Sequence, residues 1–157
     1  MRLAVLGAGA VGRAVADLAG DYGHTVTALA DSSSAAVDSD GVDVAAALER
    51  KRTGESLGSE SPADALDGAY DVLVEATPTT LGDARPGFDH LRTALERDRH
   101  VVLANKGPVA ERYGEVRALE RESAGAVRFE ATVGGAMPVL STVEDFGADH
   151  ITAVRGV

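Results

Sequence analysis

A chain of 157 residues, 45% of them hydrophobic, buries one substantial core and hardly a second, so one complete domain with at most a fragment of another is expected. Its 25 acidic residues against 15 basic ones leave a formal charge of -10, which argues against nucleic acid as a partner, because phosphate backbones need clustered Lys and Arg. Cysteine is absent, excluding disulfides, thiolate metal sites and cysteine nucleophiles; no run is long and apolar enough to span a bilayer, so no membrane partner and a cytoplasmic location are expected.

The chain opens on Arg2-Leu-Ala-Val-Leu6, a short apolar strand that runs straight into Gly7-Ala8-Gly9-Ala10-Val11-Gly12 and then a helical pattern to about Asp21. Strand, Gly-x-Gly-x-x-Gly and helix in that order point to dinucleotide binding. Gly7 makes the tight turn, Gly9 lets the backbone approach a pyrophosphate, and Gly12 lets the helix pack close to the strand. From Ala10 and Val11 onward the helix aims free N–H groups and its positive dipole end at the phosphates. His24 to Ala30 reads as a second strand closing on Asp31, 19 residues beyond Gly12, where such folds place an acid that accepts hydrogen bonds from the adenosine ribose. Asp31 also suits a loop cap ahead of Ser32, Ser33 and Ser34.

A helical pattern covers Asp40 to Arg52, where Lys51 and Arg52 could reach a phosphate but read first as a solvated helix end, and a polar loop follows from Thr53 to Ser61. Ser61-Pro62 predicts a capped short helix through Leu66. Asp71 to Ala76 is a nearly continuous apolar run, as in a central parallel strand, and it delivers Thr77-Pro78-Thr79-Thr80 to the edge where open α/β sheets bind ligands. A helix from Phe88 to Arg97 buries Leu91, Ala94 and Leu95. The strand His100 to Ala104 then brings Asn105-Lys106-Gly107-Pro108 to the same edge, ahead of a helix over Val109 to Ser123. Val127 to Glu130 is predicted as a strand, Pro138 to about Glu144 as a helix, and Asp149 to Val157 as the start of another strand. The alternation predicts an α/β fold, a doubly wound parallel sheet of the Rossmann dinucleotide-binding type, with strands starting near residues 2, 24, 71, 100 and 127.

Lysine occurs only at Lys51 and Lys106. A lone ammonium at a strand's carboxyl end, in a chain that otherwise avoids lysine, suits Lys106 to polarise a carbonyl or pass a proton to a developing alkoxide. The four histidines show no metal spacing and read as structural or surface residues.

Gly7 to Gly12, Asp31-Ser-Ser, Val74-Glu-Ala-Thr-Pro78, His100-Val-Val-Leu-Ala-Asn-Lys-Gly-Pro108 and Phe129-Glu-Ala-Thr-Val-Gly-Gly-Ala-Met-Pro138 together resemble homoserine dehydrogenase. The last two segments are far more specific than the glycine fingerprint. The resemblance implies interconversion of L-aspartate 4-semialdehyde and L-homoserine with NAD(P), with Lys106 at the active site beside the nicotinamide, as both a catalytic and a cofactor-binding residue, and Thr77 and Pro78 flanking the nicotinamide. It further implies a monovalent cation, sodium, held by the Glu130 carboxylate and the carbonyls of Val133, Gly135 and Met137, although Glu130 also suits a plain strand end. Ala136 stands where the family commonly has glycine. A carboxylate at Asp31 favours NAD over NADP, because a 2'-phosphate there meets like charge.

The same resemblance implies a dinucleotide-binding domain over residues 1–137, a truncated substrate domain beginning at 138–157, and a homo-oligomer for the complete enzyme. The acidic, lysine-poor, alanine-rich composition resembles that of proteins from salt-loving organisms, and also suits an acidic protein from a GC-rich genome. Two other readings stay open: a free-standing dinucleotide-binding redox sensor, and the first domain of another amino-acid dehydrogenase.

Overall fold

The computed structural model describes residues 1–134, 139–147, 149 and 151–153. Six strands form one sheet: β1 (Arg2–Leu6), β2 (Thr25–Ala30), β3 (Ala35–Val37), β4 (Val72–Glu75), β5 (His100–Leu103) and β6 (Val127–Arg128), in the spatial order β3-β2-β1-β4-β5-β6. β2, β1, β4, β5 and β6 pair in parallel, and only β3 runs antiparallel, on the outer side of β2. The helices are α1 (Ala10–Leu18), α2 (Val44–Arg52), α3 (Pro62–Asp67), α4 (Gly87–Glu96), α5 (Gly107–Glu122) and α6 (Val139–Phe146). Among the described residues, no helix is long and apolar enough to cross a membrane.

The parallel sheet is buried on both faces, which is why its strands read as continuous apolar runs. Along β1, Leu3 and Val5 join Ala16 of α1, Ala47 of α2 and Leu57 in one cluster. Ala4 and Leu6 point the other way, into a cluster with Ala65 of α3, Leu91 and Leu95 of α4 and Val116 of α5. Local signals start several helices. Ser61 and Asp64 form a reciprocal capping box with Pro62 in the first turn of α3, and the Asp43 side chain accepts the Ala46 N–H at the head of α2.

The expected doubly wound sheet is present, with five parallel strands where the apolar runs put them and several revised boundaries. β3 was not expected. Its Ala35-Ala36-Val37 is too short and alanine-rich to stand out, and it forms because Asp31 N–H donates to the Ser34 carbonyl at 2.9 Å and turns the chain back on itself. The first helix stops at Leu18, followed by a 3-10 turn over Gly20–Tyr22 that closes on the left-handed Gly23. α2 starts only at Val44, because the Asp43 cap fixes its origin. The strand expected to reach Glu130 ends at Arg128: Phe129 leaves extended geometry at φ -135, ψ 16, and Glu130 opens a 3-10 turn over Glu130–Thr132. The strand expected over Asp149 to Val157 is not seen in residues 149 and 151–153; the remainder of that stretch, like Pro138, lies outside the described residues.

Candidate functional site

The carboxyl ends of β1, β4 and β5 open on one edge of the sheet, and the glycine loop leaves β1 there. Gly7 sits at φ +105, and a Cβ on it would lie 2.4 Å from the Ala76 carbonyl oxygen at the end of β4. A Cβ on Gly12 would lie 1.9 Å from the Gly7 carbonyl oxygen, so neither position admits a side chain while the turn keeps its shape. At Gly9 the same test meets nothing within 4 Å, so space stands open over the loop. Gly9 is the N-cap of α1, whose first turn carries no acidic residue and no side-chain cap. The N–H groups of Ala10 and its neighbours therefore face that space with positive partial charge. Two immovable glycines, one open one and an uncapped helix start fit the pyrophosphate of a dinucleotide.

Asp31 follows β2 at the same edge. Its Oδ1 accepts the Ser33 and Ser34 N–H groups, both at 2.9 Å, and the Ser33 hydroxyl at 3.0 Å, while Oδ2 accepts Lys51 Nζ from the end of α2. Burial pushes the Asp31 carboxyl up, but the donors, Lys51 foremost, outweigh it and hold the group well below the usual carboxylate range. Asp31 thus caps the Ser32–Ser34 turn, one of the two readings its sequence position allowed, with its carboxylate beside the sheet edge. Lys51 is no freely solvated helix end, because its ammonium is paired with Asp31.

Beyond β4 the chain runs through Thr77 to Thr80, and beyond β5 through Asn105 and Lys106 into α5. The Ala104 N–H donates to the Glu75 carbonyl at 2.9 Å, which keeps the two segments side by side past the sheet. The Lys106 N–H donates to Thr79 Oγ1 at 3.2 Å, and its exposed ammonium has no hydrogen-bond or ion-pair partner among the described residues. Beneath these loops lies a polar cluster that the sequence did not single out. The Glu75 side chain is fully buried; Oε1 accepts the Thr77 N–H at 3.0 Å and the Thr77 hydroxyl, and Oε2 lies 2.7 Å from His90 Nδ1 on α4. Asn105, 1% exposed, donates to Thr77 Oγ1 at 3.1 Å and the Pro78 carbonyl at 3.3 Å, and accepts the Gly107 N–H at 2.9 Å. A glutamate breaking an apolar strand was the available signal for this cluster.

The sheet edge therefore brings together Gly7, Gly9, Ala10, Val11, Gly12, Asp31, Thr77, Pro78 and Lys106. Of the cation ligands implied by the resemblance, Glu130 and Val133 belong to one 3-10 turn and its end, and Glu130 Oε1 accepts the Leu140 N–H of α6 at 3.0 Å. Gly135 and Met137 lie outside the described residues. No group of three or more His, Asp or Glu side chains poised for a metal occurs among the described residues.

Residues 1–79, which carry the glycine loop, Asp31 and the Glu75–Thr77 segment, match the family model of the Glutamate/Leucine/Phenylalanine/Valine dehydrogenases. A homoserine dehydrogenase of Methanocaldococcus jannaschii is 34% identical over 175 residues, covering 100% of this chain and 52% of the relative. The homoserine dehydrogenase structure from Thermoplasma acidophilum superposes with a TM-score of 0.81 at 26% identity, over 94% of this chain and 48% of that one. A hyperthermophilic archaeal homoserine dehydrogenase in complex with NADPH shares the fold, with a TM-score of 0.74 at 24% identity over 90% of this chain and 47% of that one. The chain spans about half the length of the curated relatives it matches. It belongs to the glutamate/leucine/phenylalanine/valine dehydrogenase family, and along its whole length it is similar to the N-terminal nucleotide-binding domain of homoserine dehydrogenases.

Proposed function

We propose that this chain is the dinucleotide-binding part of an enzyme that interconverts L-aspartate 4-semialdehyde and L-homoserine with NAD or NADP, on the route to threonine and methionine. One observation carries the reading: the glycine loop, Thr77-Pro78 and Lys106 share one sheet edge in a chain whose full length is similar to a homoserine dehydrogenase. A redox sensor or another dehydrogenase would make equal use of residues 1–79, but neither accounts for the similarity that continues to the end of the chain. When bound, the dinucleotide supplies or accepts the hydride. The chain's part is to hold its pyrophosphate on the Gly7–Gly12 loop, its adenosine ribose at Asp31 and its nicotinamide beside Thr77 and Pro78. We assign residues 1–137 to this domain and 138–157 to the beginning of the substrate domain.

Substrate positioning supplies as much as about 7 to 11 kcal/mol of barrier reduction, and we assign it to the half of the relatives' length that these residues do not span. The 157-residue chain alone should therefore bind NADH or NADPH in a fluorescence titration and form no homoserine from aspartate semialdehyde. Turnover by the chain alone would defeat the two-part arrangement, and failure to bind either dinucleotide would defeat the reading of the loop.

Lys106 is placed to donate a proton or a hydrogen bond to the substrate oxygen as negative charge develops there. In the complete enzyme Lys106→Ala should lower kcat on the order of 100-fold or more, typical of a lost general acid, with little change in dinucleotide Kd. Unchanged kcat would remove Lys106 from the chemistry.

NAD is the preferred dinucleotide in this reading and NADP is also admitted. The Asp31 carboxylate accepts the ribose hydroxyls, and the ammonium of Lys51 offsets the like charge that a 2'-phosphate would otherwise meet. Lys51→Ala should cost NADPH roughly tenfold or more in affinity, the worth of one lost charge-assisted hydrogen bond, and change NADH far less. An unaltered ratio of the two affinities would show that Lys51 has no part in the choice.

Sodium is proposed at Glu130 and Val133 with Gly135 and Met137, because a carboxylate and backbone carbonyls are the hard oxygen donors that such a cation takes. A crystal structure in sodium should then show oxygen neighbours at roughly 2.3 to 2.6 Å, the range of a similarly sized hard ion, and lose the peak in Glu130→Ala. A peak that persists in the variant would place the ion elsewhere.

A further inference from the structure

We propose that Glu75 and His90 are a positioning pair: Glu75, buried beneath the ligand edge, and the part-buried His90 on α4 hold the two loops assigned to the nicotinamide in the geometry that receives it. The proposal rests on the dinucleotide reading and adds two residues to it.

The argument begins with what a buried carboxylate requires. Glu75 has a fully buried side chain and no arginine or lysine partner among the described residues, so its two oxygens depend there on the Thr77 and Asn105 donors and on His90. An acceptor of this kind is tolerable in the interior only while its donors stay in place. The donors come from three separate segments. Thr77 gives its N–H and its hydroxyl from the loop after β4, Asn105 Nδ2 lies 3.4 Å from Oε1 at the end of β5, and His90 Nδ1 lies 2.7 Å from Oε2 on α4. Glu75 is therefore the point at which the two edge loops and one helix are tied together.

Asn105 extends the tie. Its amide reaches the Pro78 carbonyl and the Thr77 hydroxyl, its carbonyl caps the Gly107 N–H, and the next residue is Lys106. The start of α4 is pressed against the same groups. A Cβ on Gly87 would lie 2.5 Å from Asn105 Nδ2 and 3.4 Å from Glu75 Oε1, so glycine alone lets the helix come close enough for His90 to reach. Each contact converges on Thr77-Pro78 or on Asn105-Lys106. The phosphate loop packs against Ala76, but its own hydrogen bonds run to β2, and those of Asp31 run to its own turn and to Lys51.

The pair should thus act on the nicotinamide half of the cofactor and leave the other half alone. NADH and ADP-ribose share the adenosine, pyrophosphate and second ribose and differ in the nicotinamide, so they separate the two regions. In the full chain, His90→Leu leaves Glu75 Oε2 without its donor. NADH affinity should then fall about tenfold, the scale of a lost hydrogen bond to a charged group, while ADP-ribose affinity stays at the wild-type value. His90→Asn places its amide near the Nδ1 position and should restore NADH binding. His90→Gln places its amide farther out, near Nε2, and should behave like His90→Leu; its polar side chain keeps the test available if the leucine variant fails to fold. Equal losses for both ligands, wild-type NADH affinity in both His90→Leu and His90→Gln, or no rescue by His90→Asn would overturn the proposal. A wild-type chain that binds neither ligand would instead overturn the dinucleotide reading, and this proposal with it.

Discussion

The ligand edge depends on one close approach, that of the first turn's backbone to the end of β4. With 2.4 Å between an imagined Gly7 Cβ and the Ala76 carbonyl oxygen, the turn is held by the absence of side chains, and any residue other than glycine must push β1 and β4 apart. β1 is flanked by β2 on one side and β4 on the other, so the chain reverses its direction of winding at this point in the sheet. A reversal of that kind opens a crevice beyond the strand ends, and the Gly7 contact sets the start of α1 over it. The right position of α1 thus follows from sterics before any attraction to a phosphate is considered.

The two halves of the edge are built by opposite means. On the side of Gly7 to Gly12, positions are set by close backbone contact, which is rigid because carbonyl oxygens cannot interpenetrate. On the side of Thr77 and Lys106, positions are set by a connected set of buried polar groups, in which each donor has one good arrangement. An apolar cluster in place of Glu75, His90 and Asn105 would avoid the cost of burying a carboxylate, and such replacements are often neutral or stabilising. What an apolar cluster lacks is direction. It does not specify where the Pro78 carbonyl or the Gly107 N–H must lie, and those groups carry the loops.

The sequence was most informative where the constraint is local. Glycine spacing, the Ser61-Pro62 start and the apolar runs each act over a few residues, so the loop, α3 and the five parallel strands could be read directly. It was least informative where function rests on pairs distant in the chain. Lys51 lies 20 residues from Asp31, and nothing around it distinguishes an ammonium that folds back on a strand end from one in water. His90 lies 15 residues from Glu75, and its role depends on α4 docking with Gly87 against Asn105. β3 escaped notice for a related reason. Three small residues form a strand only because the Asp31 turn offers them an edge to pair with.

Charge placement follows the same division between surface and site. In a chain with a formal charge of -10, many arginines are used on helix surfaces, as in the Arg52–Glu49, Arg92–Asp89, Arg112–Glu115 and Arg117–Glu120 pairs one turn apart. The exposed Arg52–Glu49 pair contributes little to stability by itself, whereas Arg112 also stacks on Phe88 and Glu120 also accepts the Val127 N–H. The two lysines are placed differently. Lys51 answers the Asp31 carboxylate and Lys106 follows Asn105, so both compact ammonium groups lie at the edge where β2 and β5 end. An approaching dinucleotide meets a net negative molecule, and within about a Debye length, roughly 8 to 10 Å at moderate salt, local charges decide the encounter. At that range the Lys51 ammonium is largely answered by Asp31, so the N-terminus of α1 and the Lys106 ammonium are the positive groups left at the edge to meet an anion.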